Sequence, residues 1–292
     1  YQYVNNTLSN ILKLPRDEIA DFYLELLRIA GISDYQRKIM RFNRHSRIIR
    51  KLWREYRAKV KSSLDAKEAR SLAREFIGRV LSIFRRSRSD LDELKKAIAL
   101  LSKTPCFDFE SPIIVIAGMP QVGKSTFVNK VSSAKPKIAP FPFTTKDIIL
   151  GHAEIQGIKV QIVDTPGILD RPFNELNPIE KKAYIAARYL AHCILFLLDP
   201  SEDSYYSIES QISLLSNIVS DFGKDKIIVA INKIDKNTSE RIKMVEEVLQ
   251  SKFNSIPIWR ISALNGISVN EVLNEAFNIA LRNLGMKLPN YE

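Results

Sequence analysis

The sequence predicts two domains of different class: an all-α helical bundle, then an α/β domain with a six-stranded, mostly parallel sheet and flanking helices. Three observations carry this. From Leu8 to Leu101 apolar residues recur every three or four positions, the period of an amphipathic helix. Beyond Pro112 short β-branched runs alternate with amphipathic stretches, as in a sheet covered by helices. Between the two, Thr104-Pro105 and the mixed run to Pro112 read as a linker, which sets the domains at 1–108 and 109–292.

In the first domain the period places helices over roughly 5–12, 16–30, 33–62, 65–86 and 90–103. Pro15 precedes Asp17 and Glu18 in a first turn, Gly31 stops the second helix, and Ser33 or Asp34 caps the third. In the second domain strands are predicted at 113–117, 147–155, 158–164, 193–199, 226–232 and 256–261. Gln156-Gly157 turns the second and third of these into a hairpin, leaving one antiparallel strand. Helices fall near 124–133, 178–191, 207–221, 239–252 and 268–284.

At 292 residues, 45% hydrophobic and 26% charged, the chain has ample apolar material for two cores. No apolar run approaches the roughly 18–20 residues of a membrane span, and no secretory signal is visible, so the expectation is a cytoplasmic monomer. The missing initiator Met reads as a trimmed start. Cys106 and Cys193 sit apart in apolar surroundings and are expected to be buried free thiols. The net charge of +11 is unevenly placed: residues 1–111 carry 24 Lys+Arg against 14 Asp+Glu, whereas the remainder is nearly neutral. A basic domain beside a neutral one points to a polyanionic partner.

Residues 118–125 read Gly-Met-Pro-Gln-Val-Gly-Lys-Ser, a complete G-x-x-x-x-G-K-[ST] loop between a predicted strand and a predicted helix. That order wraps backbone amides and a helix N-terminus around phosphates. Lys124 would reach the β/γ-phosphates and the Ser125 hydroxyl would ligate Mg²⁺. Gly118, Pro120, Gln121, Val122, Gly123, Lys124, Ser125 and Thr126 are therefore candidate nucleotide contacts. Asn232-Lys233-Ile234-Asp235, after a β-branched run, selects guanine. The Asp235 carboxylate can accept from the ring N1–H and the 2-amino group, whereas adenine would leave it unpaired. Asn232 can serve the O6/N7 side, the Lys233 stem can lie over the base, and Ser262-Ala263-Leu264 offers a backbone N–H to O6.

Asp164-Thr165-Pro166-Gly167 closes another strand. Asp164 would hold Mg²⁺ through water, and the Gly167 N–H would touch the γ-phosphate only while it is present, which makes the following segment a switch. In Phe141-Pro142-Phe143-Thr144-Thr145-Lys146 one threonine should complete the metal shell and hold the attacking water. Thr145 is preferred, with Thr144 the alternative. Lys124, Thr145 and Gly167 are the candidate catalytic groups, and Ser125, Thr145 and Asp164 the candidate metal ligands. GTP or GDP and Mg²⁺ follow as cofactors.

The order of GMPQVGKS, FTT, DTPG, NKID and SAL resembles translation-factor-like P-loop GTPases. SSAKPKIAPFPFTTK and VDTPGILDRP are similar to the Obg-like branch, and within it to the nucleolar GTP-binding (Nog) family. The resemblance is strong over 112–265 and weaker over the N-terminal helices. It implies a GTPase acting in large ribosomal subunit assembly, docked on ribosomal RNA or a pre-ribosome. The chain stops at Glu292, as a compact archaeal-like member without a C-terminal extension would. The alternatives are an Obg- or HflX-like GTPase acting on mature ribosomes or in stress signalling, or an RNA-binding assembly scaffold in which GTP is a placeholder.

Two departures bear on mechanism. Ile168 follows Gly167 where Ras-type enzymes carry the Gln that orients water, so slow intrinsic hydrolysis is expected. Many relatives have an Asn at the fourth loop position that supports a K⁺ ion. Gln121 stands there, with an amide but one methylene more, leaving K⁺ as a candidate further cation. Arg171 could act as an arginine finger in cis, or otherwise serve as a surface salt bridge or RNA contact.

Gln36 to Lys61 contains eleven Lys/Arg and a single acid, Glu55. Ile39, Phe42, Ile49, Trp53, Tyr56 and Val60 fall on one stripe and are expected in the core. Arg44, Arg47, Arg50, Lys51, Arg54, Arg57 and Lys61 fall on the remaining surface and are the candidate RNA-binding residues. Arg85, Arg86 and Arg88 would extend that patch.

Overall fold

The structure, a computed structural model, describes residues 1–14 and 19–286, so the predicted first turn at Pro15, Asp17 and Glu18 lies outside the described residues. The chain forms two compact units, Tyr1–Ser102 and Lys103–Glu292.

The first unit is all-helical: α1 (Gln2–Leu12), α2 (Asp21–Ile29), α3 (Tyr35–Lys61), α4 (Ala66–Arg86) and α5 (Arg88–Leu101). Gly31 ends α2 as expected. It adopts φ +80° while the Ile32 N–H reaches back to the Leu27 carbonyl at 2.9 Å, the closing bond of a left-handed C-cap. Asp34 precedes α3 without a side-chain cap bond and pairs instead with Arg37 at 3.8 Å. Asp65 does cap α4, accepting from the Glu68 N–H at 2.7 Å, while Glu68 accepts from the N–H of Leu64, the residue before the cap, at 2.9 Å, so the helix start is held by two side-chain bonds. The core gathers Leu8, Leu27, Ile32, Ile39, Phe42, Ile49, Val80, Leu94 and Ala97. Ile39, Phe42, Ile49 and Tyr56 of the α3 stripe are buried, and Trp53, half-buried, stacks on Tyr1 with ring centroids 4.6 Å apart. Those aromatics serve packing.

Among the described residues the second unit has seven strands, one more than the sequence predicts: β1 (Ile113–Ala117), β2 (Lys137–Pro140), β3 (Asp147–Ile155), β4 (Ile158–Asp164), β5 (Cys193–Leu198), β6 (Ile227–Ile231) and β7 (Ile258–Arg260). Its helices are α6 (Lys124–Val131), α7 (Pro178–Leu190), α8 (Ile208–Phe222), α9 (Ser239–Lys252) and α10 (Val269–Leu284). The sheet order is β2-β3-β4-β1-β5-β6-β7, and β3 alone runs against the rest. The added strand is β2, a largely exposed four-residue edge strand that ends in Pro140 and pairs only with β3. It carries no period-2 apolar pattern, because one edge and both faces meet water. Strands β1, β5 and β6 are buried along their whole length and read as continuous apolar runs for that reason. The hairpin β3–β4 turns at Gln156 (φ +51°) and Gly157 (φ +75°), the two left-handed residues of a tight turn.

The segment after Ser102 packs with this second unit. Gln161 Nε2 donates to the Asp108 carbonyl at 2.6 Å and its Oε1 accepts from the Asp108 N–H at 3.0 Å. One thiol differs from expectation: Cys193 is buried, but Cys106 is exposed on that same segment. Burial raises the Cys193 pKa above that of an ordinary thiol.

Candidate nucleotide site

The ends of β1, β4, β6 and β7 lie on one edge of the sheet and carry the four sequence motifs. This carboxyl edge is where open α/β sheets bind ligands. The loop after β1 depends on two glycines. Gly118 has φ +130°, and a Cβ there would lie 2.3 Å from the Leu197 carbonyl oxygen. Gly123 has φ +102°, and a Cβ there would lie 2.3 Å from Asn232 Nδ2. Gln121 also adopts a positive φ, +65°, and is exposed, whereas Val122 is buried and Pro120 half-buried.

Lys124 is buried and curls back, its Nζ donating to the carbonyls of Gly118 at 2.7 Å and Met119 at 2.8 Å. Burial pulls its pKa down, opposed by the nearby Asp164 and Asp170 carboxylates. The Ser125 hydroxyl donates to Asp164 Oδ2 at 2.7 Å. Asp164 is wholly buried, its Oδ1 has no hydrogen-bond partner among the described residues, and burial raises its pKa.

The segment before β3 places the two threonines differently. Thr144 Oγ1 accepts from the Lys146 N–H at 3.0 Å. Thr145 is exposed, and no hydrogen bond joins it to Ser125 or Asp164. After β4, Gly167 turns at φ +80° and its N–H donates to Asp170 Oδ2 at 2.7 Å. Asp170, itself buried, is a residue that sequence reasoning passes over. Its only signal is an acid three positions beyond a turn glycine. The Lys146 side chain lies over Gly167, close enough that a Cβ there would sit 2.6 Å from its Cδ. Ile168 is 1% exposed and faces the core. Arg171 is held by Glu180 at 2.8 Å, the arrangement of an ion pair.

At the opposite end, Gly123, Thr126, Asn232, Lys233, Asp235, Lys236, Ala263 and Leu264 line a cavity of about 150 Å³. Asn232 spans two loops, with Nδ2 donating to the Val122 carbonyl at 2.8 Å and Oδ1 accepting from the Ala263 N–H at 2.9 Å. Asp235 accepts from the Ser262 hydroxyl. The Lys233 ammonium pairs with Asp199 at 2.6 Å while the residue itself, at φ +61°, stays on the cavity wall.

Residues 113–233 match the 50S ribosome-binding GTPase family, and residues 1–108 match the NOG1 N-terminal helical domain. Nucleolar GTP-binding protein 1 of Drosophila melanogaster is 32% identical over 94% of this chain and 43% of its own length. The solved structure of a nucleolar GTP-binding protein 1 from Plasmodium falciparum is 30% identical, with a TM-score of 0.53, covering 62% of this chain and 92% of that one. The chain belongs to the nucleolar GTP-binding protein 1 family. An uncharacterised protein of the archaeon Methanocaldococcus jannaschii is 42% identical over 80% of this chain and 64% of its own length. The chain thus spans about two fifths to two thirds of the length of these curated relatives.

The NOG1-type helical domain carries the other candidate surface. Arg44, Arg47, Arg50, Lys51, Arg54, Arg57 and Lys61 are all exposed on α3, and none of them forms an ion pair among the described residues. Other cations of the helix are paired: Arg37 with Asp34, Lys38 with Glu93, Arg41 with Asp90 and Lys59 with Glu55. None of the described helices is long and apolar enough to cross a membrane.

Proposed function

We propose that this chain is a GTP-hydrolysing switch of large ribosomal subunit assembly, docking on ribosomal RNA or a pre-ribosome through its basic helical domain. One observation carries the reading. A guanine-type cavity built on Asn232, Asp235 and Ala263 shares a chain with a NOG1-type bundle whose seven exposed α3 cations form no ion pair among the described residues.

In this reading the base enters the small cavity, where Asp235 accepts from guanine N1–H and the 2-amino group and Ala263 presents the O6 side. Gly118 to Thr126 hold the phosphates, and Lys124 turns from its carbonyl partners toward the β/γ oxygens. The unpartnered Asp164 Oδ1, beside the Ser125 hydroxyl, fits a hard divalent cation with oxygen ligands. Ser125 and Asp164 would hold Mg²⁺ there, with Thr145 joining when its segment closes. That ion would neutralise charge on the β- and γ-phosphate oxygens.

Hydrolysis is in-line attack of water on the γ-phosphorus: one P–O bond forms, the bond to the β-γ bridging oxygen breaks, and inorganic phosphate carries off the water's proton. Lys124 and the loop amides stabilise the departing charge. Thr145 positions the water, and the Gly167 N–H senses the γ-phosphate. GTP orders residues 140–147 and 167–178, and hydrolysis releases them in the cytoplasm where the subunit matures.

Co-sedimentation with large-subunit precursors, mature subunits and free RNA, under GDP and a non-hydrolysable GTP analogue, tests this. Binding to precursors that tightens with the analogue and weakens with salt is expected. Binding indifferent to nucleotide supports the scaffold instead, and preference for mature subunits supports an Obg- or HflX-like role.

A further inference from the structure

The donors that would receive a γ-phosphate already have acceptors inside the protein. Lys124 Nζ is held by two loop carbonyls, and the Gly167 N–H is held by Asp170 at 2.7 Å. Asp170 is only 7% exposed, acts electrostatically on Lys124, and belongs to a segment over which the Lys146 side chain lies. A buried carboxylate that accepts a turn amide, with the Lys146 side chain over the same turn, occupies surroundings that suit a phosphate oxygen. It also borders an open cleft of about 660 Å³, shared with Pro120, Lys146 and Arg171, so it has room to swing away.

We infer that Asp170 is an internal substitute for the γ-phosphate, and that its competition for the Gly167 N–H sets how well the site tells GTP from GDP. The inference rests on the proposed guanine-nucleotide reading of the loop after β1. GDP carries nothing that reaches Gly167 and leaves the Asp170–Gly167 bond in place. GTP must displace the carboxylate and hold a second anion near it, so only the GTP complex bears the cost. The apparent GTP affinity is then lowered by the fraction of molecules in which the bond is closed. On this view Asp170 is a specificity-determining residue of the resting state, and it favours the GDP-like arrangement of residues 167–171.

The test is equilibrium titration of the full chain, in Mg²⁺, with fluorescent GDP and a fluorescent non-hydrolysable GTP analogue. Wild type is compared with Asp170→Asn and Asp170→Ala. The Asn variant is nearly isosteric and neutral, so it answers the question even if Asp170→Ala does not fold. The expected result is an analogue affinity that rises about 5- to 30-fold in the variants, the range of a modest coupling, with GDP affinity held within about 2-fold. The smaller gain is expected for Asn, which keeps an acceptor for Gly167. Parallel changes for both ligands, an unchanged ratio, or a loss of analogue affinity would overturn the inference while leaving the guanine reading intact. Wild type binding neither ligand would overturn both.

Discussion

Asn232 Nδ2 donates to the Val122 carbonyl at 2.8 Å, across 110 positions of sequence. The same amide accepts from the Ala263 N–H at 2.9 Å, so one side chain ties together the loops after β1, β6 and β7. The absence of a side chain at Gly123 makes the approach feasible, since a Cβ there would overlap the Asn232 nitrogen. Asn232 is 2% exposed, and the geometry is that of a brace as much as of a base contact.

Asn232→Ala should therefore act on stability as well as on binding. It leaves a buried carbonyl and a buried N–H without partners, each costing about 1–3 kcal/mol. Urea unfolding should show a loss of about 2–4 kcal/mol, with affinity for GDP and GTP falling together. An unchanged unfolding midpoint with lost affinity would mean that the residue serves the base alone.

Much of the fold is legible in the sequence because two periods differ so plainly. Wholly buried strands such as β5 read as unbroken apolar runs, and α3 reads as a stripe of Ile39, Phe42, Ile49 and Tyr56. Strand β2 stays hidden because it is short, exposed and ends in proline. At the site, residue types at fixed spacing identify the loop after β1 and the Asn232–Asp235 motif. What spacing cannot give is the partner of each polar atom. That Gly167 N–H meets Asp170, or that Asn232 reaches Val122, depends on how loops distant in sequence converge. That seven α3 cations form no ion pair among the described residues is likewise a tertiary fact, set by where the unit's acids fall.

Ile168 occupies the position from which a glutamine would orient water, yet its side chain is 1% exposed. The expected intrinsic turnover is therefore low, on the order of 10⁻⁴ to 10⁻² s⁻¹. Restoring the amide should not help. Ile168→Gln buries a polar group at a cost of about 1–3 kcal/mol, so the melting temperature should fall while single-turnover phosphate release changes less than about 2-fold. Acceleration by an order of magnitude would show that position 168 can reach the water.

His192 gives the second unit a pH dependence. Its ring Nδ1 accepts from the Ile113 N–H at 3.1 Å, and its backbone N–H donates to the Ile113 carbonyl at 3.0 Å, pinning the start of β1. Burial, with a smaller contribution from Lys226, pulls the imidazole pKa down to about 4. The unfolded chain takes up that proton below about pH 6.5, whereas the folded chain does not until about pH 4. Stability is thus complete above about 6.5 and declines as pH falls toward 4. The loss is about 1–2 kcal/mol after allowance for partial exposure. Denaturant melts across that range should show the decline. His192→Gln, which keeps an acceptor and cannot titrate, should flatten it relative to wild type.

The α3 cations make a prediction about salt. Because Arg47, Arg50 and Arg54 are exposed and make no ion pairs among the described residues, replacing all three with Ala removes charge without breaking a core contact. Alanine also keeps the helix. If these side chains meet phosphates, the slope of log affinity against log salt should flatten by about 2–3. Affinity for a large-subunit RNA fragment should fall by a similar factor whatever its sequence. Circular dichroism and nucleotide affinity should stay at wild-type values. A slope that does not move would remove α3 from the RNA interface, because a charge that leaves the salt dependence untouched is not releasing counterions from phosphate.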